Sequence, residues 1–134
     1  MNTTYFLNQI MGNLFHTDKD PELPAAYYLG FSGTEPTDAG TNVTEPSTSD
    51  TGYSRVMLTN LSAPTNGVIN NTAPISFPKS TESWGVLTHY VVYDAVAGGN
   101  LLFYDTIANS ITVDANAVIT IPTGDLVITL KNAV

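Results

Sequence analysis

Chemistry in this chain would have to rest on few residues. Two histidines, His16 and His89, are the natural candidates for a general base, and Arg55 is the single arginine. Catalysis requires titratable groups held close together with tuned pKa values. His16 closes a helical pattern, where a cation meets the helix dipole favourably. His89 stands among apolar residues of a strand pattern and reads as a hydrogen-bonded core histidine. No His-x-x-x-His or His-x-His pair suggests a zinc site. Gly30-Phe31-Ser32-Gly33 lacks the Gly-x-Ser-x-Gly spacing that exposes a serine nucleophile. Asp18-Lys19-Asp20 is only a fragment of a calcium loop, and the remaining carboxylates are scattered without marking a glycosidase pair. Matches to Asn-x-Ser/Thr at Asn2, Asn42, Asn60 and Asn70 are expected by chance in so Thr-rich a chain. The expectation is a non-enzyme with no catalytic, metal or cofactor-binding residues.

Arg55 lies in an alternating stretch, residues 53–61, in which Tyr53, Arg55, Met57 and Thr59 oppose Ser54, Val56, Leu58 and Asn60. Two readings stand for it. It forks onto a loop carboxylate, Glu35, Glu45 or Asp50, or it binds a ligand. Those carboxylates belong to residues 32–52, long, polar and rich in turn formers, with an echo of Thr34-Glu35-Pro36-Thr37 in Thr44-Glu45-Pro46-Ser47. A loop of that length is uncommon in a compact domain. It is either a solvated loop or a contact surface.

The centre of the chain is residues 84–104, with the only tryptophan and a dense β-branched run split by Gly98-Gly99-Asn100. This predicts two antiparallel strands, 85–94 and 101–106. Both faces of the first are largely apolar, Val86, Tyr90 and Val92 on one and Leu87, Val91 and Tyr93 on the other, which predicts a strand covered on both sides. Further strands are expected at 25–31, at Ile75 and Phe77 on an edge between Pro74 and Pro78, at 111–113, at 118–121 and at 126–131. In the last, Leu126, Ile128 and Leu130 face inward. Residues 63–71 read as turns, and 17–24 as an exposed linker. Short strands at regular spacing predict an all-β fold, an antiparallel β-sandwich of the jelly-roll or Ig-like kind.

Residues 2–15 are the one helical pattern. Phe6, Ile10 and Leu14 recur four apart, as do Leu7, Met11 and Phe15, with Asn2 or Thr3 placed to cap. The helix either packs on its own β core or docks this stripe on another subunit. The domain reading is a helix or docking arm at 1–16 and one sandwich domain at 17–134.

Composition narrows the partners. A net charge of −8 leaves too few cations to displace counterions from nucleic acid or to hold an anionic membrane, so neither is expected as a partner. No apolar run reaches a membrane span, and the N-terminus lacks the pattern of a signal peptide. Without cysteine, disulfides and thiolate metal sites are excluded, while the compartment stays open. A charged fraction of 12% with abundant Thr, Ser and Asn suits an extracellular or particle-surface protein.

Several pieces carry a resemblance that spans nearly the whole chain in order. They are Tyr28-Leu29-Gly30-Phe31-Ser32, Glu35-Pro36-Thr37-Asp38-Ala39-Gly40, Thr44-Glu45-Pro46 and Gly52-Tyr53-Ser54-Arg55-Val56, followed by Asn66-Gly67, Asn70-Asn71 and Ile75-Ser76-Phe77-Pro78. Trp84-Gly85, Asp94-Ala95 and Gly98-Gly99-Asn100-Leu101-Leu102 complete them. Together they resemble the small virion proteins of tailed bacteriophages and prophages usually labelled phage tail fibre protein. The resemblance implies a structural virion component at the particle surface, and carries no residue-level site with it. A chain without long repeats or a coiled coil cannot span distance as a fibre. The expectation is therefore a capsid decoration (cement) protein on the head, a homo-oligomer (a trimer being one arrangement) bound to the major capsid protein. The alternative is a tail-tip or tail-fibre-associated protein contacting other tail proteins, with Tyr27, Tyr28 and Tyr53 exposed to stack on saccharides. A carbohydrate-binding module or glycan hydrolase is the third reading. The expected interaction residues are Phe6, Ile10, Met11, Leu14, Tyr27, Tyr28, Glu35, Glu45 and Arg55.

Overall fold

The hairpin expected at the centre is the spine of the computed structural model, which describes residues 1–17 and 23–130. Strand β5 (Gly85–Tyr93) pairs antiparallel with β6 (Leu101–Val113). Their turn needs Gly98 and Gly99 at positive φ, and the Asp94 carboxylate accepts the Asn100 N–H at 2.7 Å. A Cβ on Gly99 would sit 2.4 Å from Asp94 Oδ1.

β6 runs unbroken where two separate strands were expected, because the ladder absorbs an irregularity. The step from Leu87 to His89 faces the longer step from Thr106 to Ile111, so β6 carries extra residues there. The irregularity also shifts the phase of β5. Leu87 joins Val92 in the main core, while Val91 and Tyr93 point to the other face.

On the far side of β5 lie β1 (Tyr28–Ser32) and then β2 (Val56–Met57), giving a four-stranded sheet ordered β2-β1-β5-β6. Two antiparallel ribbons form the second layer: β3 (Val68–Asn70) with β8 (Val127–Thr129), and β4 (Ile75–Ser76) with β7 (Thr120–Ile121). The protein is an all-β antiparallel sandwich with one short helix. Its main core lies between the layers, where Phe31, Val92 and Phe103 meet Ile75, Phe77 and Leu126. Phe31 and Phe77 pack at 4.6 Å between ring centroids. Fully burying a side chain of this size contributes about 1.5–3 kcal/mol.

The opposite face of β5 is covered at Val91 and Tyr93, but Val86, expected under cover, is 51% exposed near the start of the strand. Val91, Tyr93, Leu101 and Tyr104 form a smaller cluster against Val43 of the long loop. That loop closes on itself: Gly33 donates its N–H to Thr44 O at 2.9 Å, and Thr34 Oγ1 donates to Asn42 O at 2.7 Å.

Three local expectations change. Of residues 53–61 only Val56 and Met57 pair with β1, since Tyr53 and Arg55 turn inward to Glu45. Residues 63–71, read as turns, contain β3; Asn66 and Gly67 at positive φ reverse the chain just before it. Leu130, expected inward, is 48% exposed: it lies past the end of β8, whose Ile128 still packs on the core, and the Leu130 N–H is bonded to Gly67 O. The expected linker falls mostly on residues 18–22, outside the described residues, as does the strand end at 131.

Helix α1 (Thr4–Phe15) begins where predicted, with Thr3 as the cap accepting the Phe6 N–H at 3.2 Å. Ahead of it, residues 1–3 lie along the outer edge of β6: Thr3 donates its N–H to Leu102 O, and Tyr104 donates to Met1 O. Thr3 Oγ1 donates to Leu101 O at 2.7 Å from a fully buried position. The helix is thus fixed at its start by backbone pairing.

Candidate functional site

Arg55 adopts the fork reading, and its partner is Glu45. Nη2 donates to Glu45 Oε1 at 2.6 Å and Nε to Oε2 at 3.0 Å, a bidentate pair. Nη1 donates to both Ala95 O and Gly98 O at 2.7 Å, gripping the turn between β5 and β6. The guanidinium lies 3.5 Å from the centre of the Tyr93 ring. Glu45 Oε2 also accepts the Tyr53 hydroxyl at 2.7 Å, and that hydroxyl accepts the Phe31 N–H at 3.0 Å. Burial, then the charge and hydrogen bond of Glu45, push the Tyr53 hydroxyl pKa far up. Gly30 is where this cluster needs space: a Cβ there would meet Tyr53 Oη at 2.5 Å and Glu45 Oε2 at 2.9 Å. Four hydrogen bonds and the Tyr93 ring engage the guanidinium, so Arg55 clamps the long loop to the hairpin tip.

Tyr53 was expected as an exposed platform for saccharides. It is instead 3% exposed, edge-on to Trp84 at 5.2 Å, because Glu45 and Phe31 pull its hydroxyl inward. Tyr27 and Tyr28 are half-buried, and Glu35 is exposed. His89 is buried between two threonines, Nδ1 at 2.8 Å from Thr88 Oγ1 and Nε2 at 3.4 Å from Thr106 Oγ1. His16 is the C-cap of α1, its N–H bonded to Gly12 O.

Sequence reasoning placed the helix but left open which way its stripe turns. Phe6 and Ile10 are half-buried over the domain, where Phe6, Tyr27, Leu58, Val92 and Phe103 line an apolar cavity of about 250 Å³. Leu7, Met11, Leu14 and Phe15 are 41%, 56%, 51% and 72% exposed. At 100° per residue these four fall on one continuous face. No residue of α1 is buried and none is charged. The helix therefore presents an uncharged apolar strip outward from a chain of net charge −8.

The protein is thus an all-β sandwich with a clamped long loop, a backbone-anchored helix and an outward apolar strip. The chain belongs to the family described as Podophage GP4 fiber I protein gp80, whose model matches residues 2–129. That family is one of phage fibre structural proteins, which makes this chain a component of a bacteriophage virion. No curated protein matches the sequence.

Proposed function

We propose that the protein is a fibre-associated structural subunit of the phage tail, seated on a neighbouring tail protein by the outward face of α1. The observation that carries this is the strip Leu7, Met11, Leu14 and Phe15, apolar and exposed on a helix with no charged residue. Contiguous exposed apolar surface on a folded domain marks an interaction site. Like-charged surfaces repel, so this acidic chain would meet an acidic neighbour most readily through a face without charge. The family description, a fibre protein, supports the tail. A compact sandwich has no means of spanning distance, so it is an attachment or junction piece rather than a shaft.

The competing seat is the outer surface of the head, as a decoration protein on the major capsid protein, which the same compact build fits. Cryo-electron microscopy of purified particles separates them. Density for the sandwich on the tail or its fibres supports the proposal, and density confined to the icosahedral shell overturns it.

A further inference from the structure

The cavity of about 250 Å³ under α1 is walled by Val92 of β5, Phe103 of β6 and Ile128 of β8, and closed by Phe6 of the helix. Val92 and Phe103 are buried in the main core, so those walls are preformed. Tyr27 brings the only hydroxyl among the lining side chains. A second crevice of about 230 Å³ shares Phe6, Ile69 and Ile128 with it and continues past Ile10 to the exposed Leu130. Among the described residues, no charged side chain lines either space. α1 is held at its start by the pairing of residues 1–3, and none of its own residues is buried. Its body is therefore a lid that can lift without opening the core.

The lining selects what fits. Protein interiors are packed too closely to keep many spaces of this size. Ordered water needs about two to four polar partners, and these side chains offer one hydroxyl. A charged group would lose its hydration with nothing to pair it. The net charge of −8 adds repulsion against any anion. Hydrocarbon alone matches the walls. An apolar cavity of about 150 Å³ takes a six-carbon ring, so about 250 Å³ takes a chain of about eight to ten carbons. We propose that this cavity binds the alkyl chain of a neutral single-chain amphiphile of the fatty-alcohol kind, its hydroxyl left at the exposed end of the crevice by Gly67 and Leu130. The site uses no residue of the outward strip on α1 and does not depend on where in the particle the protein sits.

Protein labelled at its Ile, Leu and Val methyl groups and titrated with 1-octanol tests it, read by methyl chemical shifts. The methyls of Ile69, Val92 and Ile128 should shift with half-saturation below about 1 mM. Octanoate, the same length with a charged head, should bind at least about tenfold more weakly. Leu61→Phe and Ile69→Phe each put a ring into the cavity and should weaken 1-octanol binding at least about tenfold. A melting scan shows which of the two variants is folded, and one folded variant suffices. The proposal is overturned if no methyl shifts at about 2 mM 1-octanol, or if the shifts fall on Leu7 and Leu14 and leave Ile69 and Ile128 unmoved. It is equally overturned if octanoate binds as tightly, or if a folded filled variant binds like the parent.

Discussion

Replacing Arg55 with methionine isolates the clamp. The substitution keeps much of the aliphatic stem but deletes the donors to Glu45, Ala95 and Gly98 and the cation over Tyr93. Removing one member of a buried ion pair typically costs about 3–5 kcal/mol, because the other charge stays desolvated. Here the Arg55 side chain is 7% exposed and Glu45 20%, so water relieves part of that charge. The expected loss is about 3 kcal/mol. At roughly 4 °C per kcal/mol for a domain of this size, the melting temperature should fall by about 12 °C. Glu45→Gln keeps the shape and one acceptor and should lose about 2 kcal/mol. The double variant should be little worse than Arg55→Met alone, a coupling of about 2 kcal/mol in a double-mutant cycle read by denaturant unfolding. Hydrogen exchange should quicken at residues 44–46 and 95–98 together. If Arg55→Met lowers the melting temperature by less than about 4 °C and the two changes simply add, the clamp is not what holds the loop.

Further outcomes follow from other contacts. Changing Leu7, Met11 and Leu14 to serine should leave the isolated domain within about 1 kcal/mol of the parent while depleting the protein from assembled particles, measured by melting and by mass spectrometry of virions. Thr3→Val removes the helix cap and the hydroxyl on Leu101 O; about 1–2 kcal/mol should be lost, with faster hydrogen exchange across residues 4–15. Burial, then the hydrogen bond to Asp38, raise the Tyr104 hydroxyl to about 12. The unfolded tyrosine titrates near 10. This contribution to stability is therefore complete below pH 10 and lost as pH rises towards 12, so Tyr104→Phe should flatten the decline in unfolding free energy over that window. Gly30→Ala forces a methyl against Tyr53 and Glu45, and a loss of about 1–3 kcal/mol is expected in chemical denaturation.

How much could be read beforehand differs from element to element. The β5–β6 hairpin was legible because a β-branched run, a Gly-Gly-Asn turn and a second apolar run are all local signals. The extra residues in β6 were not, since an irregularity depends on how two strands meet and neither strand shows it alone. The cost was the phase of Leu87. The helix was legible from its period, but period does not say which side of a wide stripe is covered; only tertiary contact distinguishes Phe6 from Leu7. For Arg55, charge and scarcity pointed to a carboxylate in the long loop, and three candidates remained. Choosing Glu45 required knowing that Gly30 leaves room beside it. Alternation over residues 53–61 was real but overstated the strand, because a buried ion pair outweighed further pairing.

The clamp also decides what a cut in the long loop would do. Ser47, Thr48 and Ser49 lie exposed at its tip, the kind of segment a protease enters first. A break there would put Glu45 on one fragment and Tyr53 and Arg55 on the other, still joined through the carboxylate, with β1 still laddered to β5. The two pieces should migrate as one under native conditions and come apart only on a denaturing gel. A particle carrying this protein would thus tolerate digestion that leaves its subunits nicked but in place.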